Sequence, residues 1–189
     1  MEVSLFPEHA QQFAEVAERI RSAERVHVVA HVKPDADAIG SACALSKGLR
    51  KLGVDNNVYI GQSMPHSANM RTIPGVDDII YDGELPDDGV VVTVDCASAD
   101  RTGSYLPAIS ADPHRVIVID HHNTNPGFGE TNLIVESEST TVMVRELLAQ
   151  LDVALDTDIA YCLYAGLVTD TGSFRWGTSR MHVLAAELM

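Results

Sequence analysis

The stretch Val26-His27-Val28-Val29-Ala30-His31-Val32-Lys33-Pro34-Asp35-Ala36-Asp37-Ala38-Ile39-Gly40-Ser41 decides the fold. Val26 to Ala30 is short, β-branched and apolar, which predicts a strand buried on both faces. A turn fixed by Pro34 follows, and the residues from Ala38 to Leu52 have helical spacing that stops at Gly53. Strand, turn and helix in that order are the opening of a βαβ unit. The rest of the chain repeats the theme. Helices are expected from about His9 to Ala23, with Ala10, Phe13, Ala14, Ala17 and Ile20 on one face, and over Thr140–Leu151 and Thr157–Val168. Strands are expected at Asn57–Ile60, Val90–Val94 and Arg115–Ile119, with shorter ones at Asp78–Tyr81 and Asn132–Val135. Ser63–Gly75, punctuated by Pro65, Pro74 and Gly75, reads as loop or short helix. The pattern predicts an α/β fold: a doubly wound, mostly parallel sheet flanked by helices.

The 189 residues suit one domain, with no internal repeat and no linker. Lys and Arg number 13 against 27 Asp and Glu, a net charge of −14 that disfavours long duplex nucleic acid as a partner. Cys43, Cys96 and Cys162 are far apart and form no CxxC pair, which argues against a disulfide framework and a zinc-thiolate site, and for a reducing cytoplasm. Residues 1–7 have neither a basic start nor a long apolar run, so no leader and no membrane span is expected. Met181–Met189 reads as a helix without a C-cap, as if the chain were a fragment of a longer two-domain protein.

The chemistry clusters where strands end. Val26–Ala30 runs into His31, Val90–Val94 into Asp95, and Val116–Ile119 into Asp120-His121-His122. In a parallel sheet these ends lie along one edge, where α/β proteins place their sites. Asp35 or Asp37 alone could be a helix N-cap. That leaves the other aspartate and His31 without a role, whereas carboxylates two residues apart can serve two neighbouring cations. Asp170 ends an apolar helical run, a poor place for a carboxylate unless a cation compensates it. His31, Asp35, Asp37, Asp95, His121 and Asp170 are therefore the expected metal ligands. This oxygen-rich set with imidazoles and no thiolate suits manganese or magnesium, with cobalt, iron or zinc admissible. Two such ions roughly 3.5–4 Å apart clamp a phosphoryl group, and Asp95, ending a central strand, is the expected bridge.

The Asp120-His121-His122 triplet, with His-x-x-x-Asp-x-Asp before it and Thr169-Asp170-Thr171-Gly172 after it, resembles the DHH phosphoesterase superfamily over nearly the whole chain. That group includes RecJ exonucleases, family II pyrophosphatases, exopolyphosphatases and oligoribonuclease/pAp phosphatases. Three stretches look most like the nanoRNase/pAp phosphatase branch: His31–Ser41, Val94–Gly103 and Tyr164–Trp176. The resemblance implies one ion on His31, Asp35 and Asp95, and a second on Asp37, Asp95, His121 and Asp170. His122 would face the phosphate, with Asp120 supporting the histidines from behind. It implies hydrolysis of short oligoribonucleotides, linear dinucleotides and pAp through a water activated by two metals, manganese first among them. Alternatives are an inorganic pyrophosphatase or exopolyphosphatase, or a metal-binding or regulatory domain without turnover. Members of the branch normally carry a second, substrate-binding domain with a Gly-rich motif, and none follows residue 180.

Arg101 and Arg175 are candidate phosphate or nucleotide contacts, weighed evenly against structural salt bridges. The amides of Ser139-Thr140-Thr141 could meet a phosphate, with a plain N-cap as the equal alternative. Trp176 is expected to pack rather than to stack on a base. His9, His27, His66, His114 and His182 are expected at the surface or in packing. The expected partners are a small phosphorylated substrate and no membrane; a homodimer is admissible.

Overall fold

A computed structural model describes residues 4–189. Strands β1 (Arg25–Ala30), β2 (Asp55–Ile60), β3 (Ile80–Tyr81), β4 (Val90–Val94), β5 (Val116–Asp120) and β6 (Thr131–Ile134) form one sheet in the order β3-β2-β1-β4-β5-β6. Every pairing is parallel. Helices α1 (Ala10–Arg21), α2 (Ala36–Lys51), α3 (Leu106–Ala111), α4 (Thr140–Gln150), α5 (Thr157–Asp170) and α6 (Arg180–Glu187) surround it. Asp78–Tyr81 shortens to a two-residue strand, and the 3-10 turn Ala99–Tyr105 with α3 lies where the sequence pattern showed no element.

The order reverses between β1 and β4. Chain growth from β1 runs outward through β2 and β3, then returns to the other side of β1 for β4, β5 and β6. Right-handed crossovers then put helices on opposite faces in the two halves. Strand alternation records this. Val28, Val58, Val92 and Ile117 are in register and belong to the large core under α1, α2, α4 and α5. Val29, Tyr59, Val91, Val116 and Val118 point the other way, into a smaller core closed by Tyr105 and Ile109. Both faces carry helices, unequally.

Helix α2 is buried almost all round because α4 and α5 cover the side that the sheet leaves. Small residues permit this. A Cβ on Gly40 would lie 2.4 Å from the carbonyl oxygen of Cys162 in α5. The point of strand reversal between β1 and β4 is the crevice at which open α/β sheets bind ligands, and His31 and Asp95 follow those two strands directly.

Candidate metal centre

Asp35 is the N-cap of α2: its Oδ1 accepts the amides of Asp37 (3.1 Å) and Ala38 (3.0 Å). Asp37, the second residue of the helix, is fully buried. Its Oδ2 accepts the Thr140 amide at 2.7 Å and its Oδ1 the Thr141 amide at 2.9 Å. The free amides at the start of α4 are therefore spent on Asp37, not held for a phosphate, and Ser139 caps Val142 (3.4 Å). Thr140 also donates its hydroxyl to Asp95 Oδ1 at 3.0 Å, so one residue touches two of the buried carboxylates. Each carboxylate oxygen keeps a lone pair after these bonds.

Asp95 takes a left-handed backbone (φ 58°), while its amide continues the sheet to Ile119 O at 3.0 Å. Strained backbone of this kind persists where surrounding contacts enforce it, as at functional sites. Its two oxygens face different ways. Oδ2 lies 3.4 Å from His31 Nε2, and Oδ1 lies 3.7 Å from His121 Nε2 and 3.8 Å from His122 Nδ1. His31 Nε2 is also 3.7 Å from Asp35 Oδ1, and His121 Nε2 is 3.3 Å from Asp170 Oδ2. Asp170 is the last residue of α5, and a Cβ on Gly166, one turn earlier, would lie 2.5 Å from Asp37 Oδ1.

Three overlapping groups result: His31, Asp35 and Asp95; Asp37, His121 and Asp170; and Asp95, His121 and His122, with ligand atoms within 4.8 Å of one another in each. The imidazoles are oriented from behind. Nδ1 of His31 lies 2.9 Å from Val32 O, Nδ1 of His121 lies 3.2 Å from Ser137 O, and Nδ1 of His122 lies 2.8 Å from Asp120 Oδ1. Donation from Nδ1 to each of these acceptors leaves Nε2 free to ligate or to donate. Asp120 supports His122 only. Its other oxygen accepts Asn125 Nδ2 at 2.7 Å, and Asn125 also donates to Cys96 O at 2.9 Å. Glu138, next to Ser137, is gripped by Arg180 of α6 (2.5 Å), which fixes the loop behind His121. The sequence singled out none of Asn125, Ser137 and Glu138.

The electrostatics call for cations. Burial, then the charges of Asp95 and Asp170, push Asp37 well up from the ordinary carboxylate value. Asp170 is pushed up to about 6 by burial and by Asp95. Burial would lower His31, but Asp35 and Asp95 outweigh it and lift it to about 10. Asp35, opposed by its own burial, falls to about 2 through His31 and the amide of Ala38. Asp37 and Asp170 thus feel the like charge of Asp95, a field that a bound cation would relieve. An oxygen-rich set with Nε2 atoms turned inward fits divalent ions.

The arginines divide. Arg101 Nη2 lies 3.0 Å from His31 Nδ1, at the rim of the cage. Arg175 donates Nε to Gly172 O at 2.8 Å and is not brought to the carboxylates. Trp176 does not pack inside: it is 59% exposed. His27 is buried, as a packing residue should be, and Cys96 is fully buried. A cleft of about 310 Å³, lined by Ala36, Met70, Ile73, Tyr164, Val168 and Thr169 among others, adjoins Asp35, Asp37 and Asp170 in sequence.

The family model for the DHH family, N-terminal domain, matches residues 25–167. The bifunctional oligoribonuclease and PAP phosphatase NrnA of Thermus thermophilus is 33% identical over 188 residues, covering 97% of this chain and 55% of the relative. The NrnA of Bacillus subtilis is 30% identical over 152 residues, 76% of this chain and 45% of the relative. The crystal structure of an exopolyphosphatase-related protein from Bacteroides fragilis superposes with a TM-score of 0.84 at 25% identity, over 95% of this chain and 56% of that one. The chain spans about half the length of these relatives.

Proposed function

Because this chain belongs to the DHH family, whose members are divalent-metal-dependent phosphoesterases, we propose that it forms a two-metal centre that hydrolyses short oligoribonucleotides, linear dinucleotides and pAp. The observation that carries the proposal is the placement of Asp95. Its two oxygens face two separate groups of ligands at the point of strand reversal. His31, Asp35 and Asp95 would hold one ion, and Asp37, Asp95, His121 and Asp170 the other, with manganese as the first choice. When bound, the ions supply Lewis acidity for phosphoryl oxygens and lower the pKa of an attacking water.

The chain's own groups then have distinct tasks. Thr140 and Thr141 hold Asp37 in place, and Thr140 also holds Asp95. The hydrogen bond to Asp120 raises the pKa of half-exposed His122, so the imidazole holds a proton to higher pH than a free histidine and would give it to the phosphoryl or leaving oxygen. The mostly apolar cleft lined by Ala36 and Thr169, the chain neighbours of Asp35 and Asp170, would give an organic leaving group somewhere to lie. That favours a nucleotide over bare pyrophosphate. The likeness to the exopolyphosphatase-related protein supports the second reading, a pyrophosphatase or exopolyphosphatase. Three buried free cysteines suit a reducing cytoplasm.

The test compares manganese-dependent product release from pApA, pAp and pyrophosphate. Cleavage of pApA or pAp is expected. Cleavage of pyrophosphate alone would establish the second reading, and metal binding without turnover on any of them would leave a binding domain.

A further inference from the structure

Beyond Asp170 the chain runs through three successive left-handed residues: Gly172 (φ 56°), Ser173 (φ 60°) and Phe174 (φ 65°). Thr171 pins this unusual turn. Its carbonyl accepts the amides of Arg175 (2.8 Å) and Trp176 (3.2 Å), and its hydroxyl accepts the amide of Phe174 (3.1 Å). The turn folds Trp176 back over the end of α5. Indole Nε1 donates to the Asp170 carbonyl oxygen at 2.6 Å. The six-membered ring lies so close on Gly172 that a Cβ there would sit 2.2 Å from Cη2. The N–H is thus satisfied and one part of the ring is seated, yet 59% of the residue is exposed. The guanidinium of Arg175 lies 5.7 Å from the ring centroid.

A buried tryptophan would be core, and a loose one would be solvated surface. This one is anchored by its polar atom and by Gly172 and remains open to solvent, bonded to the same residue whose carboxylate faces His121. We propose that the exposed indole of Trp176 is a stacking platform for a nucleobase of the substrate, with Arg175 beside it for the adjoining phosphate. The proposal rests on the nucleotide reading of the metal centre. Stacking suits a substrate of varied sequence, because every base presents a π-face. A fixed ring loses little freedom when a base lands on it. Trp176 is then a substrate-binding residue that separates nucleotides from inorganic phosphates at a shared centre.

Trp176 is the only tryptophan, so its emission reports on the platform directly. The manganese-loaded protein is titrated with AMP and, separately, with ribose 5-phosphate. Saturable quenching by AMP and none by ribose 5-phosphate is expected. Trp176→Ala should raise KM for pApA roughly 5- to 150-fold, the range for losing one stacked base, while Trp176→Phe recovers most of it. Manganese affinity, measured by calorimetry, should be unchanged in both variants. Equal responses to AMP and ribose 5-phosphate, or an unchanged KM in Trp176→Ala, would overturn the platform and place the base elsewhere. A fall in manganese affinity matching the loss in KM would overturn it too, making Trp176 a support for Asp170. Emission that shifts with protein concentration and ignores AMP would instead assign the indole to contact between copies. The outcomes separate this proposal from the one it rests on. Turnover of pApA without quenching removes the platform alone, and quenching by AMP without turnover removes the hydrolase alone.

Discussion

His122 and Asp120 form the pair whose chemistry is most open to test. The hydrogen bond from Asp120 raises the pKa of His122, so the imidazole holds its proton to higher pH than a free histidine would. If that proton serves the reaction, activity survives until the raised pKa is passed. Asp120→Asn removes the charge, lowers the pKa of His122, and moves the alkaline limb of the pH–rate profile to lower pH. It should also cost about 10- to 100-fold in activity or metal affinity, the usual price of an outer partner. An alkaline limb that stays in place would exclude His122 as the proton donor. Thr140→Val is the parallel test for the other half of the cage. It keeps the amide on Asp37 and deletes the hydroxyl on Asp95, so manganese affinity measured by calorimetry should fall by about 10- to 100-fold.

His31, Asp95, His121 and Asp170 were legible because an apolar strand or helix turns abruptly to Asp or His there, and Asp35 and Asp37 because one N-cap leaves the second carboxylate over. Their supports were not. Ser137 acts through a backbone carbonyl, which leaves no mark on side-chain chemistry. Thr140 meets Asp37 across 103 residues, a proximity that only the packing of α4 on α2 creates. The amides of Ser139-Thr140-Thr141 read equally as a phosphate site or a plain N-cap because a free helix N-terminus and one capped by a distant aspartate look alike in sequence.

At the level of elements, the cage depends on how closely α2 and α5 approach. Gly40 and Gly166 are the contact points, and a Cβ on Gly166 would reach Asp37 Oδ1 and Thr141 together. Gly166→Ala should therefore destabilise the fold by about 1–3 kcal/mol through overpacking, read as a lower denaturation midpoint, and weaken metal binding besides. Gly53→Ala is the contrasting control. Nothing lies within 4 Å of its Cβ, so any cost comes only from its positive φ and metal binding should be unaffected. The long helices and buried strands could be read from periodicity. Helix α2 begins at Ala36, two residues before the apolar pattern, because Asp35 caps it. Helix α3 escaped because its six residues, opened by Pro107, are too few to show a period. Trp176 was misjudged because burial statistics for tryptophan ignore a turn of left-handed residues that holds it at the surface.

For the molecule as a whole, the −14 charge and the clustered carboxylates make bound cations a matter of folding stability. An ion that binds only the folded chain stabilises it by about 2.7 kcal/mol at a free concentration about 100 times Kd. Removing metal with a chelator should therefore lower Tm by roughly 5–10 °C for a chain of this size. A Tm that ignores the chelator would mean that the carboxylates are satisfied without ions. A second global effect comes from the far face of the sheet. His27 is fully buried, with Nε2 on Asp88 and Nδ1 unpartnered. Burial depresses its pKa from 6.5, with Arg115 adding to the effect and Asp88 opposing it. The unfolded chain therefore takes up a proton there before the folded one does. The stability due to neutral His27 is present above pH 6.5 and is lost as pH falls through the lower folded value. His27→Phe should flatten that part of the Tm–pH curve, and an unaltered curve would assign the loss to other groups. No helix among the described residues is long and apolar enough to cross a membrane.

The most direct measurement pairs metal content with turnover in the wild type and in Asp95→Ala. Bound manganese per chain and release of product from pApA would be measured on the same preparations. A shared bridging carboxylate predicts two ions per wild-type chain, with both metal content and turnover lost together in the variant. Two ions and unimpaired turnover in Asp95→Ala would contradict the account, because the residue that joins the two halves of the cage would then be dispensable.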